Sequence, residues 1–221
     1  MGNLDIERNI RLFVEGGGQN MGLLPTERYA SFDYCFNYFQ HFRDKGMIEE
    51  LAEPENIQIS CLHLCFYLAS WGMLRGSSSL LQKSIKFFEP LIKYIVSAPR
   101  ELWEIDAGQY SQSIMKLLMD CRRNIGMALT PCGATDTLAT KIMLGVFGNV
   151  PAFDSAFKLG FGVSTFGWSA LSKIQQFYIE NQEEVDKYRL PTIDYDTGRS
   201  TSRLYTRAKV IDMIFFIEGS T

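Results

Sequence analysis

Residues 129–157, LTPCGATDTLATKIMLGVFGNVPAFDSAF, decide the fold class. The turn-forming residues 130–133 precede a segment whose apolar residues recur at helical spacing, which predicts a helix over about 135–147. Gly148 is its predicted C-cap, because glycine adopts the left-handed conformation without steric cost. A proline follows, and a short helix is predicted over 152–159. This order of helix, turn, helix and loop is typical of an all-α protein.

Helical periodicity also dominates the rest of the chain, and no pair of strands joined by a hairpin turn is predicted. A Pro/Asp/Gly-rich connection is expected over 190–198. The sequence therefore predicts a single all-α globular domain of about ten helices over 1–221. The other predicted helices are 4–15, 26–45, 56–71, 79–88, 90–97, 109–125, 168–186 and a last one that begins near Ser200.

Composition favours a packed globule, since 46% of the residues are hydrophobic and 13% are aromatic. The five cysteines are an odd number without the spacing of a disulfide framework, and no secretory leader is predicted. We therefore expect reduced thiols in a cytoplasmic protein. No apolar run reaches the 18 or so residues that a membrane span requires, so we expect no membrane contact.

The net charge of −3 is unevenly distributed along the chain. Residues 1–70 carry 5 basic and 10 acidic side chains, residues 71–175 carry 11 and 7, and residues 176–221 carry 6 and 8. The middle part is thus 11 − 7 = +4 between acidic flanks. Two interpretations remain open: a local basic face that binds nucleic acid, or ordinary solvated helix surfaces.

Neither a metal nor a cofactor is predicted. On a helix, Cys61 and Cys65 share a face while His63 points away from it, so the three cannot converge on one ion. Nucleophile elbows, P-loops and dinucleotide fingerprints are also missing from the sequence. With two histidines in the whole chain, acid–base chemistry would depend on carboxylates, lysines or tyrosines.

Two aromatic stretches are candidates for a pocket. The helix around Tyr34 carries more aromatic residues than one buried face needs, so it is either a central core helix or the wall of a site for a planar ligand. In the second stretch, Trp71 is followed by two glycines, Arg75 and Ser77. This stretch is either a helix end with its turn or a phosphate-binding loop in which the backbone approaches a ligand closely.

The turn at Gly133, the helix after it, the Val150–Pro151 step and the carboxylate of Asp154 together resemble the helix-hairpin-helix DNA glycosylases. The resemblance covers about 30 residues. It implies that the hairpin offers backbone N–H groups to a DNA phosphate at the positive end of a helix. It also implies a catalytic role for Asp154 beside a flipped nucleotide. Residues assigned on this basis are Gly133, Ala134, Thr135, Arg75 and Ser77 for DNA binding, and Tyr34, Trp71 and Phe153 for the base pocket.

The segment departs from the family pattern in three ways. Its hairpin has one glycine instead of two, and the loop to Asp154 is about two residues shorter. Thr137 stands where bifunctional members have a nucleophilic lysine, and Lys141 follows one turn later on the same face. Lys141 is either a second catalytic residue or part of a solvated face. Asp154 is either catalytic, the N-cap of the next helix, or both.

The resemblance implies a monofunctional glycosylase that flips a damaged or modified base out of double-stranded DNA and leaves an abasic site. The stretch from Trp71 to Ser78 is also similar to small bacterial proteins that defend against phages with modified bases, which implies a role in anti-phage defence. The alternative hypothesis is a non-catalytic helical module that binds DNA or a protein. Neither the base nor a protein partner follows from the sequence.

Overall fold

The structure is a computed structural model that describes residues 4–17, 21–76 and 78–221. These residues form one all-α domain, with 63% of the chain in helix and 4% in strand, which confirms the predicted fold class. The described ranges contain ten α-helices. In chain order they are α1 (Ile6–Glu15), α2 (Ala30–Asp44), α3 (Ile57–Ser70), α4 (Glu89–Ser97), α5 (Gln112–Ala128), α6 (Asp136–Phe147), α7 (Ser155–Phe161), α8 (Trp168–Glu180), α9 (Gln182–Lys187) and α10 (Arg207–Glu218).

Short 3-10 segments connect several of these helices, and two of them, Ser79–Gln82 and Ile85–Phe88, replace the helix predicted over 79–88. The predicted Asn56 lies at the N-cap of α3, but its side chain makes no capping bond. Its amide donates instead to the backbone carbonyl of Glu50. As predicted, Gly148 ends α6 in the left-handed conformation.

The prediction for the C-terminal part was wrong. β1 (Pro191–Ile193) pairs antiparallel with β2 (Ser200–Leu204), and the last helix begins only at Arg207. Burial in β2 alternates between exposed and half-buried, and four of its five residues are polar, so it lacks the apolar alternation by which a strand is recognised. The hairpin is anchored to α2, because the backbone N–H of Ile193 donates to the buried carboxylate of Asp33.

Two helices form the centre of the molecule. In α6 every residue from Leu138 to Phe147 is buried, and in α10 burial is continuous from Ala208 to Phe215. A helix that is apolar around its whole circumference belongs in the interior, which explains why neither has a clear apolar stripe. α6 packs on α2, α3 and α5, whereas α10 packs on α7 and α1. In the described residues, no helix is both long enough and apolar enough to span a bilayer.

Candidate active site

The segment that decides the fold forms two helices joined by a tight turn. α5 ends at Ala128 and α6 begins at Asp136. Gly133 has a φ of +65°, a conformation that favours glycine, and a Cβ at this position would meet no atom within 4 Å. Thr135 caps α6, because its hydroxyl accepts from the backbone N–H of Leu138 at 3.2 Å. The turn is therefore open to solvent at Gly133 and directly precedes a helix N-terminus.

An ion pair occupies that N-terminus. Asp136, the first residue of α6, contacts Arg122 of α5 at 2.7 Å and also accepts from the backbone N–H of Phe166 at 3.0 Å. A carboxylate at this position offsets the positive end of the helix dipole, and the guanidinium restores a positive charge beside it. Arg122 therefore lies beside the turn, with its guanidinium paired to Asp136.

Three hydrogen bonds to α6 and α10 hold the end of the loop between α6 and α7. The hydroxyl of Thr140 accepts from the backbone N–H of Phe153 at 2.8 Å, and the hydroxyl of Thr137 donates to the carbonyl of Phe153 at 2.8 Å. The carboxylate of Asp212 on α10 accepts from the N–H of Ala152 at 3.0 Å. These bonds fix the backbone directly before Asp154, so its side chain is presented in a defined direction.

Asp154 makes two bonds through its carboxylate. Oδ1 accepts from the backbone N–H of Phe157 at 3.0 Å, which makes Asp154 the N-cap of α7. Oδ2 accepts from the Nζ of Lys141 at 2.9 Å. The Lys141 side chain is 3% exposed, so the alternative of a solvated helix face is wrong for this residue. The Asp154 side chain is 16% exposed, which leaves its carboxylate accessible from one side.

A second ion pair, which the sequence analysis missed, lies on α10. Lys209 Nζ contacts Asp212 Oδ2 at 3.0 Å, and the two side chains are 2% and 6% exposed. The sequence does carry a signal for it, because a lysine and an aspartate three residues apart interrupt an otherwise apolar helix. Charged side chains inside such a helix are costly to bury unless they are paired, so the pattern predicts a buried contact.

Aromatic rings surround both lysines. The ring of Trp71 stacks on Tyr29 with centroids 5.2 Å apart and meets the edge of Phe216 at 5.5 Å. The Nζ atoms of Lys141 and Lys209 each lie 5.1 Å from the Trp71 ring centroid. Cations at this distance from an indole face are stabilised by the ring quadrupole. Trp71 therefore covers the two ion pairs on one side.

The two ion pairs line one narrow cleft together with the aromatic side chains of Tyr67, Trp71 and Phe216. We call it the charged cleft. The space between these side chains is too narrow to hold a water molecule. The hydroxyl of Tyr67 donates to the carbonyl of Lys141 at 3.1 Å. Burial raises the pKa of Tyr67 well above its usual value, and the nearby carboxylates of Asp212 and Asp154 raise it further.

The structure thus brings together three residues that were assigned separately from the sequence: Trp71, Lys141 and Asp154. Phe153 is fully buried against Phe157 and Phe166 and does not line the charged cleft.

The remaining assigned residues lie elsewhere. Tyr34 is also outside the charged cleft: its hydroxyl donates to the carbonyl of Pro25 and its ring meets Tyr195 edge-on. Arg75 is exposed, and its guanidinium lies against Gly72. Ser77 lies outside the described residues. Gly133, Ala134 and Thr135 form the turn before α6.

The cysteine–histidine segment of α3 forms a packed helix face. Cys61 is buried, Cys65 is half-buried, and the His63 ring stacks on Tyr38 with centroids 4.1 Å apart. Burial lowers the pKa of His63. Within the described ranges, no three or more His, Cys, Asp or Glu side chains are placed to hold a metal ion.

Comparison with known proteins gives no relative for this chain: no family model, no curated protein and no solved structure matches it.

Proposed function

We propose that this protein is a DNA N-glycosylase that acts on a base flipped out of double-stranded DNA. The observation that carries the proposal is the contact between Lys141 and Asp154 at the charged cleft, directly after the α5–turn–α6 segment. A fixed carboxylate beside aromatic rings, next to a turn that faces solvent, combines the three parts that base excision requires. These are charge stabilisation, a surface for a planar base, and a contact to the DNA backbone.

The chemical step assigned to Asp154 is stabilisation of positive charge. Breaking the bond between C1′ and the base nitrogen leaves an oxocarbenium-like sugar, as in glycoside hydrolysis. The carboxylate, held by Lys141 and the Phe157 N–H, stabilises that charge without reorganising. Water then adds to C1′ and gives up a proton, and the base leaves with the bonding electron pair and takes up a proton.

Lys141 supports this step by holding the carboxylate of Asp154 in place. Its side chain is ion-paired with Asp154, and a protonated amine has no free electron pair with which to attack C1′. We therefore propose a monofunctional enzyme that leaves an abasic site and forms no Schiff base. Borohydride reduction during turnover should trap no covalent protein–DNA adduct, and Lys141→Ala should reduce base release less than Asp154→Asn does. A trapped adduct that disappears in Lys141→Ala would instead assign the nucleophile to Lys141.

The charged cleft is too narrow even for a water molecule, so a base can enter it only if it widens. Trp71 is the side chain whose displacement would open it. Trp71 is the C-cap of α3 and precedes Gly72, whose φ is +78°. Its Nε1 is buried and, among the described residues, has no hydrogen-bond partner, so the ring is held by apolar packing, by stacking on Tyr29 and by cation–π contacts. Base flipping and movement of Trp71 are therefore coupled in this proposal.

DNA contacts are assigned to the turn from Gly133 to Thr135, with Arg122 beside it, and to Arg75. Backbone N–H groups and guanidinium groups both bind phosphate oxygens and fix the position of a duplex without reading its sequence. The positive charge of residues 71–175 supports this assignment. Such contacts release counterions, so the affinity for duplex DNA should fall as salt is added.

The experiment that tests the function is a base-release assay. Duplex oligonucleotides with single damaged or phage-type modified bases are incubated with the protein, and abasic sites are detected by alkaline cleavage. The proposal expects cleavage at one or more modified positions and none in unmodified DNA. Salt-dependent binding of the same duplexes without release of any base would favour the non-catalytic module instead.

We propose anti-phage defence as the biological role of the same activity. Expression of the protein in bacteria should lower the plating efficiency of phages with modified DNA and leave phages with ordinary DNA unaffected. Asp154→Asn should abolish this difference. Equal plating of both kinds of phage would contradict the role, while the base-release assay would still decide the activity.

A further inference from the structure

The composition of α3 does not match its exposure. Of the ten α-helices in the described ranges, it alone contains no aspartate, glutamate, lysine or arginine. A helix that is apolar around its circumference is normally buried on all sides, as α6 is. α3 is buried on one side only, where Ser60, Leu64 and Leu68 face the domain. Its other side is open to solvent and carries no charge.

The open side of α3 has a stripe of large apolar side chains. Ile59, Leu62 and Phe66 are 45%, 45% and 67% exposed, and their spacing of three and four residues places them on one face of the helix. His63 lies beside the stripe and stacks on Tyr38. Burial lowers the pKa of His63, so this side chain is also uncharged near neutral pH. An uncharged apolar stripe of this kind marks a contact with another molecule.

A groove lies beside the stripe. It has a volume of about 370 Å³, and its lining includes the apolar side chains of Pro54, Ile57, Cys61 and Ile85. The two charged residues of the lining, a lysine and a glutamate, pair with each other at 3.2 Å and offset each other's charge. The groove is therefore suited to an apolar side chain. Phe66 protrudes from the same helix about two turns away, which is roughly 12 Å.

A second copy of α3, running antiparallel to the first, fits both features. Gln58 lines the groove, and Gln58 and Phe66 are each four residues from Leu62, in opposite directions. A two-fold axis at Leu62 therefore brings Phe66 of each copy opposite the groove of the other. Such a contact sets a surface against itself, so any charge on it would meet its own like charge. The uncharged stripe meets no such repulsion.

We infer that this protein forms a symmetric homodimer through the stripe and the groove of α3. Antiparallel helices also place the opposite ends of their dipoles side by side, which favours the pairing. One helix face is at the small end of protein interfaces, so we expect a dissociation constant on the order of micromolar. The residues of the stripe and the groove do not line the charged cleft, so the inference does not depend on the glycosylase function.

Sedimentation of the full chain from about 1 to about 200 µM tests the dimer, and its mass should rise from that of one chain towards that of two. Leu62→Glu and Phe66→Asp should each raise the dissociation constant on the order of 100-fold, because each brings charges against an apolar surface or against each other. The matched control is Ile179→Glu, which changes a 58% exposed residue of α8 and should leave dimerisation unchanged. Circular dichroism checks that each variant folds.

Two results of this experiment would overturn the inference. The first is a wild-type protein that stays monomeric at every concentration, which would leave the stripe to a different partner. The second is a dimer that persists in both folded variants, because its interface would then lie elsewhere on the molecule.

Cross-linking tests the symmetry and decides the question if a charged variant does not fold. Leu62→Cys places one thiol of each copy at the two-fold axis, so oxidation with copper phenanthroline should join the two thiols as a disulfide. Non-reducing electrophoresis measures the linked dimer. Ile179→Cys is the control, and wild type gives the baseline from the five native cysteines. A linked dimer that is no more abundant in Leu62→Cys than in Ile179→Cys would overturn the inference.

Discussion

The two lysine–aspartate pairs of the charged cleft have the same chemistry but different architecture. Lys141 and Asp154 are 13 residues apart and join α6 to the start of α7, and the aspartate keeps 16% of its side chain exposed. Lys209 and Asp212 are three residues apart on one helix and are almost fully buried. A carboxylate that a substrate can reach is suited to chemistry, whereas a buried pair within one helix is suited to holding its surroundings in place.

The largest effect on stability is expected at the buried pair. Lys209→Met leaves the carboxylate of Asp212 buried without its partner, and the free energy of unfolding should fall by about 3–5 kcal/mol. Adding Asp212→Asn should recover most of that loss, because no unpaired charge remains. Urea denaturation measures both.

Lys141→Met is the matched control, because Asp154 is reachable by water and should remain solvated when its partner is lost. Its destabilisation should therefore be clearly smaller. Equal losses in Lys209→Met and Lys141→Met would contradict the distinction between the two pairs.

The next largest effect is expected at Trp71, whose ring covers both ion pairs. Trp71→Ala should reduce base release on the order of 10- to 100-fold, the range of one lost base–aromatic stack, and should reduce binding of undamaged duplex much less. Trp71→Phe keeps one aromatic ring but loses the N–H and part of the stacking area, so its loss should be intermediate. Single-turnover kinetics measure base release, and a titration with undamaged duplex measures binding. Equal losses in both measurements, with a lower melting temperature, would show that Trp71 is only a core residue.

A smaller effect is expected at the turn that is assigned to the DNA backbone. Gly133→Leu should weaken duplex binding on the order of tenfold, as for one lost hydrogen bond to a charged group, because the new side chain blocks approach of a phosphate. Gly46→Leu is a matched control. Gly46 has a φ of +68° and equally open space, so its backbone strain is the same but it lies outside the turn. Equal affinities of the two variants across a salt titration would remove the turn from the interface.

A separate effect, on the pH dependence of stability, is expected at the buried carboxylate of Asp33. Asp33 has no ion pair among the described residues, and burial raises its pKa to about 7, although hydrogen bonds from Tyr205 and Ile193 oppose the shift. The folded protein therefore holds this proton over a range in which the unfolded chain has released it. Stability should fall as pH rises from about 4 to about 7 and then level off.

The measurement for Asp33 is the difference between wild type and Asp33→Asn in urea denaturation across this pH range. The variant cannot titrate, so its stability should depend less on pH. Identical pH profiles of the two proteins would contradict a raised pKa for Asp33.

Local signals in the sequence predicted the parts of the site that local forces determine. Gly148 was predicted as a cap, and an N-cap was one of the roles left open for Asp154, because capping depends on residues within one turn. The burial of Lys141 was not predicted, because it depends on which helices pack around α6. The contact of Lys209 with Asp212 was missed although the two residues lie three apart in an otherwise apolar helix. The β-hairpin was missed because Asp33 on a distant helix anchors its polar strands.

If the carboxylate of Asp154 stabilises charge on the sugar, Asp154→Asn should abolish base release. Asparagine is nearly as good an N-cap as aspartate, so the change should cost roughly a few tenths of a kcal/mol in stability. Single-turnover release of the best substrate base is measured for both proteins on the same duplex. Asp154→Asn should fold, bind the duplex at least as well as wild type, and lose base release by several orders of magnitude. Base release at the wild-type rate would contradict this role of Asp154.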